Sequence, residues 1–177
     1  LLLEKKVKKI IINDIDRSIY ALWYSILYFT EEFIKKIENT SIDMDEWQRQ
    51  KNIQKNKDSA SILDLGFSTL FLNRTNRSGI IKGGVIGGKN QNGNYKMDCR
   101  FNKQKIIELI EEIAANRKKI EIYNVDAKEF INLIKRKKNK FFFIDPPYFT
   151  KGKDLYTNFF NDSDHAGLAN FIQEKLS

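Results

Sequence analysis

"KIEIYNVDAKEFINLI" (residues 119–134) changes rhythm in the middle. β-branched and apolar residues lead to an acid at Asp126. Apolar residues then recur three and four apart from Ala127 onward. The first half predicts a buried strand over 119–126, and the second a helix over 127–140 with a basic end. The same unit stands on either side. "VKKIIIN" (7–13) is an apolar run that reaches Asp14, and Tyr20, Trp23, Tyr24, Leu27 and Tyr28 follow at helical spacing. Asp16 or Ser18 is placed to cap that helix, which is expected to run on through "EEFIKKIE". "FFFID" (141–145) reads as a third strand ending in Asp145, and "DSDHAGLANFIQEKL" (162–176) as a last helix capped by Asp162 or Ser163. Three strands, each ending in an acid and each followed by a helix, predict an α/β fold with a parallel sheet. In such sheets the ligand site lies beyond the carboxyl ends of the strands. The pattern therefore gathers Asp14, Asp126 and Asp145 along one edge.

Residues 38–118 interrupt this alternation and read as an inserted, mainly helical region, leaving 1–37 and 119–177 as a partial α/β domain. Within the insertion, 38–60 is polar and predicts short helices with loops. "SILDLGFSTLFLN" (61–73) predicts a helix with an apolar face. Six of the chain's nine glycines fall in "GIIKGGVIGGKNQNGNY" (79–95), which predicts an irregular loop or hairpin. Its glycines miss the spacing of a phosphate-cradling loop. Beyond it, Asn102 is placed to cap an amphipathic helix with the stripe Ile106, Leu109, Ile110 and Ile113.

The bulk composition narrows the function. With 177 residues and 41% hydrophobic content the chain can bury a core. Its net charge of +8 favours a polyanionic partner. One cysteine, Cys99, excludes an internal disulfide and a cysteine-based zinc site, and fits a reducing, cytoplasmic setting. No apolar run reaches the roughly 18 residues of a membrane span. His165, the single histidine, is expected to be structural, and "KRKKNK" (135–140) to be a solvated helix end.

The only two prolines, Pro146 and Pro147, stand between Asp145 and Tyr148. Proline has no N–H and a fixed φ, so the pair makes a stiff turn whose carbonyls are left free of a ladder. It would hold Asp145 and the Pro146 carbonyl outward as two acceptors for the two hydrogens of an amino group. The Tyr148 ring would stack on a planar base.

"DPPY" after an apolar strand resembles the catalytic motif of amino-group DNA methyltransferases. "IINDID" resembles the acidic second-strand motif of the Dam-like adenine-specific (N6) DNA methyltransferase family. "FLNRTNRSGIIKGGVIGG", "YKMDCRFNKQKIIELI" and "FFFIDPPYFTKGKDLYTNFF" are similar to collinear segments of that family. The resemblance implies a Rossmann-like S-adenosylmethionine-dependent methyltransferase fold. It also implies methyl transfer to the N6 amino group of adenine in double-stranded DNA, by base flipping and direct in-line attack, with no metal. On it, Asp14 holds the cofactor's ribose hydroxyls, and Asp126 and Ala127 lie beside its adenine. Asp145 and Pro146 accept from the target amino group, Pro147 stiffens the corner, and Tyr148 stacks. The family's glycine-rich loop would precede "IINDID", and no glycine precedes Gly66. The chain is therefore expected to be an internal fragment. The alternatives are an N4-cytosine DNA or an RNA amino-methyltransferase, or an inactive DNA-binding remnant.

The charge is unevenly spread. From residue 67 to 106, Arg74, Arg77, Lys82, Lys89, Lys96, Arg100, Lys103 and Lys105 face one acid, Asp98, while the remaining residues nearly balance. Phosphate contacts favour such a segment. Asn73, Arg74, Asn76 and Arg77 are candidates to reach base edges, and Lys82, Lys89, Lys96 and Arg100 to bind the DNA backbone.

Overall fold

The computed structural model describes residues 1–146 and 160–176. They fall into two compact units, one of Leu1–Ile12 with Arg17–Ile122 and the other of Asn13–Asp16 with Tyr123–Ser177.

Two short strands, β1 (Ile10–Asn13) and β2 (Ile120–Tyr123), pair side by side. Their direction follows from cross-strand partners. Lys9 pairs with Glu121, and Asn13 meets Val125, each pair 112 residues apart. A constant offset means that both strands run the same way. The sheet is thus parallel and, among the described residues, two-stranded. The apolar runs predicted it, and the strands end where the polar asparagines begin.

The first unit is built on helices. α1 (Arg17–Tyr28) and α2 (Thr30–Asn39) replace the single long helix expected; Phe29 (φ −123°, ψ 37°) breaks it. α3 (Met44–Lys55) is one continuous helix where short pieces were expected. The Asp43 carboxylate caps it by accepting the Glu46 N–H at 2.8 Å. α4 (Ile62–Thr75) starts at a Ser61 cap, and α5 (Lys103–Ala115) at the predicted Asn102 cap. α4 packs along α1 at small residues: Gly66 lies against Ala21 and Ser25, and the Thr69 hydroxyl donates to the Ser18 carbonyl at 3.1 Å. A file of rings, Phe33, Phe67, Phe71 and Phe101, runs through the core with centroids 5.5 to 6.4 Å apart. Ile106 and Ile110 of α5 join that core, whereas Leu109 is 46% exposed. The helix's inner stripe passes instead through Ile107 and Ile113. A second cluster joins Leu27 of α1 to Ile120, with Ile10, Ile12 and Ile122 packed against it.

In the second unit, α6 (Ala127–Ile134) follows β2, and α7 (Asp162–Leu176) packs on α6. The α7 cap is Asn161, one residue before the two expected. Its side-chain oxygen accepts the Asp164 N–H at 2.9 Å, and the Asp164 carboxylate in turn accepts the Asn161 N–H at 3.0 Å. α6 stops at Ile134 rather than running to residue 140. The basic stretch curls back, with Asn139 at φ +53° and the Lys140 ammonium bonding the Lys135 and Lys137 carbonyls.

The predicted third strand does not form. Residues 141–146 join no ladder, and Phe141 and Phe143 are 89% and 83% exposed. A parallel strand needs a hydrogen-bonded neighbour and cover on both faces. Phenylalanine supplies the propensity but not the partners, and propensity alone does not hold a strand. No described helix is long and apolar enough to cross a membrane.

Candidate active site and basic hairpin

Asparagine side chains extend the two-stranded ladder beyond its ends. The Asn13 amide donates to the Val125 carbonyl at 3.0 Å and its oxygen accepts the Val125 N–H at 3.1 Å. The Asn124 amide donates to the Asp14 carbonyl at 2.7 Å and the Ile15 carbonyl at 3.1 Å. These four bonds tie the loop after β1 to the loop after β2, so Asp14 and Asp126 leave from adjacent strand ends. Sequence reading missed both asparagines. Their signal was the polar residue closing each apolar run.

The acids differ in environment. Asp14 is half-buried, and one carboxylate oxygen accepts the Asp16 N–H at 2.8 Å. Burial pushes its carboxyl above the usual aspartate range; the Asp16 N–H opposes that rise, and the Asp16 charge adds to it. Asp126 is exposed and caps α6 by accepting the Lys128 N–H at 2.8 Å, while Ala127 behind it is partly covered. Asp145 is exposed and Pro146 half-buried. The Asp145 side chain is therefore not turned inward. Pro147 and Tyr148 lie outside the described residues. Asp14, Asp126 and Asp145 all belong to the second compact unit. Among the described residues no cluster of His, Cys, Asp and Glu suits a metal ion.

The basic segment belongs to the first unit and is a braced hairpin. Arg77 N–H bonds the Gly84 carbonyl and Ile86 N–H the Thr75 carbonyl, both at 2.9 Å, around an antiparallel bridge between Asn76 and Val85. The turn needs left-handed backbone at Ser78 (φ +55°) and Gly79 (φ +73°). Val85, Met97 and Phe101 are buried and anchor the segment to the helices. Gln91 organises the glycine-rich part: its amide donates to the Ile86 and Gly88 carbonyls at 2.8 and 2.7 Å and its oxygen accepts the Met97 N–H at 3.0 Å.

Of the predicted contact residues, Arg77, Lys82, Lys89, Lys96 and Arg100 are exposed. Lys96 is partly spent on the Gln91 carbonyl. Arg74 is half-buried, and its Nε lacks a hydrogen-bond partner among the described residues. Asn73 donates to the Gly79 carbonyl at 3.1 Å and braces the turn. Asn76 does not reach bases: it is 0% exposed and its amide is fully used inside the protein. A buried amide is tolerated because its bonds are closed inside the protein, which offsets the loss of water. Lys103 caps α2 by donating to the Glu38 and Thr40 carbonyls at 2.8 and 2.7 Å.

The sequence model of one protein family, described as D12 class N6 adenine-specific DNA methyltransferase, matches residues 1–177. Comparison with curated proteins and with solved structures finds no match.

Proposed function

The chain belongs to the D12 class N6 adenine-specific DNA methyltransferases, and on that premise we propose how its residues divide the work. The reaction is methylation of the N6 amino group of adenine in DNA. The two-stranded parallel sheet with its helices is read as part of a Rossmann-like S-adenosylmethionine-binding domain. Residues 1–37 and 119–177 form that partial domain, and 38–118 the target-recognition region.

The residues present suit the cofactor's ribose. Asp14 Oδ1 is held by the Asp16 N–H, which leaves the other oxygen to accept from a diol. Asp126 and Ala127, at the neighbouring strand end, are assigned to the side of the cofactor's adenine. When bound, S-adenosylmethionine supplies a methyl group on a sulfonium sulfur. The chain's own part is orientation. Asp145 and the Pro146 carbonyl accept the two N6 hydrogens of an adenine swung out of the duplex, and Tyr148 stacks on its ring. Bonds to both hydrogens favour a tetrahedral nitrogen and aim its lone pair. With the donor bound, the N–C bond would form as the sulfonium S–CH3 bond broke, its electron pair would stay on sulfur as a neutral thioether, and one amino proton would pass to the Asp145 and Pro146 acceptors or to water. Holding two reactants in line accounts for most of such a barrier reduction. Asn73, Arg74, Arg77, Lys82, Lys89, Lys96 and Arg100 are assigned to DNA.

The observation that carries this reading is the family match over the whole chain. The grouping of Asp14 and Asp126, which follow the two strands, with Asp145 in one compact unit supports it. The test is Asp145→Ala in a methylation assay with labelled S-adenosylmethionine and duplex DNA, followed by analysis of the methylated base. Transfer should be lost while duplex affinity stays at the parent value. Transfer that survives, or methyl groups found on cytosine, would overturn the assignment.

A further inference from the structure

Helix α3 is the polar stretch in which the sequence shows no chemistry. In the fold it grips the basic hairpin from beneath. Trp47 and Lys51 stand four residues apart on α3, hence on one face. The Trp47 indole N–H donates to Asn76 Oδ1 at 2.7 Å. The Asn76 amide in turn donates to the Ile80 and Ile81 carbonyls, both at 2.9 Å. The Lys51 ammonium lies 5.5 Å from the centre of the Trp47 ring and donates to the carbonyls of Ile81, Lys82 and Gly83 at 3.3, 3.1 and 3.4 Å. Four successive carbonyls, 80 to 83, are thereby gathered onto two side chains.

This arrangement has a geometric consequence. In a trans peptide the C=O and the following N–H point in opposite directions. Turning the Ile80, Ile81 and Gly83 carbonyls toward Asn76 and Lys51 turns the N–H groups of Ile81, Lys82 and Gly84 the other way. The exposed side chains of Arg77 and Lys82 belong to the same turn. Cations and N–H donors turned away from Asn76 and Lys51 on one short turn are what a phosphodiester accepts. A turn of this length left to itself would have to be ordered on binding, at an entropic cost per residue.

We propose that Trp47, Lys51 and Asn76 are positioning residues that preset the turn 77–84 for contact with a DNA phosphodiester. None of the three needs to touch the nucleic acid. Their effect is to have the ordering done before the duplex arrives, which raises affinity without adding a contact. This rests on the assignment of Arg77 and Lys82 to DNA.

The experiment is a mutant cycle on the chain, read by fluorescence anisotropy with a labelled mixed-sequence DNA duplex at several salt concentrations. Arg77→Ala/Lys82→Ala should weaken binding and lower the slope of log K against log salt by about 2, one per lost phosphate contact. Asn76→Ala and Lys51→Met leave both cations in place, yet each should weaken binding on the order of ten-fold. Combined with Arg77→Ala/Lys82→Ala, neither should add a further loss. Lys51→Arg, which keeps donors for the carbonyls, should recover most of the affinity. If Asn76→Ala does not fold by circular dichroism, Trp47→Phe, which removes one N–H and little volume, takes its place with a smaller loss in the same direction. Losses that add fully to those of Arg77→Ala/Lys82→Ala would mean that Lys51 meets phosphate directly, and would overturn the proposal. Parent-like binding by Asn76→Ala and Lys51→Met would also overturn it. Parent-like binding by Arg77→Ala/Lys82→Ala is a different failure: it removes these residues from the DNA face altogether.

Discussion

Alanine in place of glycine should act with opposite sign in two helices of this protein. In an exposed helix interior the change is worth about 1 kcal/mol in alanine's favour. At Gly66, in α4, a Cβ would stand 2.5 Å from the Ala21 carbonyl oxygen and 2.5 Å from Ser25 Oγ. An ordinary carbon–oxygen contact is about 3.4 Å, so α1 and α4 would have to part by up to about 1 Å. Turning Ser25 relieves one clash but gives up its bond to the Ile62 carbonyl at 3.3 Å. The Ala21 carbonyl is helix backbone and has no such escape. Parting also stretches the Thr69 to Ser18 bond. Overpacking of this kind costs up to about 3 kcal/mol. Less the propensity gain, Gly66→Ala should destabilise by about 2 kcal/mol. For a chain of this size that lowers the midpoint of thermal unfolding by roughly 4 to 8 °C. At Gly167, in α7, the nearest atom to an added Cβ among the described residues is Lys128 Nζ at 3.1 Å, the far end of a side chain that can move. Gly167→Ala should therefore stabilise, by somewhat under 1 kcal/mol. Urea titrations followed by circular dichroism give both signs, with an unchanged slope showing that only stability moved. Equal shifts for the two variants would refute the claim that α1 and α4 meet through Gly66.

Asp14→Asn tests the half-buried acid. The folded carboxyl holds its proton more tightly than the unfolded one, so the ionised form costs stability above the raised pKa. That cost fades as pH falls toward the ordinary value of 3.8. The variant should be more stable than the parent at neutral pH, with the gap closing on acidification; a gap that widens in acid contradicts the assignment. Asp43→Ala should show the reverse. The Glu46 N–H holds the Asp43 carboxyl below the usual range, so its contribution is present at neutral pH and lost as pH falls through the folded value. Removing this α3 cap should cost about 1 kcal/mol at neutral pH and less in acid, by urea titration at each pH. Phe71→Ala empties a 0% exposed site that touches Phe67 and Phe101. A loss of about 3 to 5 kcal/mol in the same assay is expected, and a loss under about 1 would show that the ring file is not the core.

The parts of the fold legible in the sequence were those fixed by local pattern. The runs before Asp14 and Asp126 became β1 and β2, and Asn102 capped α5 as its position suggested. What escaped was set by partners distant in sequence. Phe141 to Ile144 have the composition of a strand but no ladder neighbour. Leu109 fits a helical stripe, yet the core lies a little to one side of it. Asn76 looked like a surface reader because asparagine usually is exposed. Its burial depends on a tryptophan 29 residues earlier, which no local pattern announces. The candidate site was legible as residue types, while the clasp by Asn13 and Asn124 needed both loops in view.

Asp14 and Asp126 arise from the same pattern, an apolar strand closed by an acid before a helix, and the fold treats them in opposite ways. Asp126 is exposed and accepts the Lys128 N–H at the start of α6, so its side chain serves the fold as a cap. A serine there would serve nearly as well. Asp14 bonds an N–H two residues ahead while burial disfavours its charge, so as an ion it works against the fold. An asparagine could accept the same Asp16 N–H without that cost. On the proposed assignment, residue 14 keeps a carboxylate where a neutral amide would be more stable because it binds the cofactor's ribose. Stability therefore separates the two acids before any cofactor is added. The substitution that stabilises at residue 14 is the one expected to abolish methyl transfer. At residue 126, a replacement that keeps the cap should leave stability nearly unchanged.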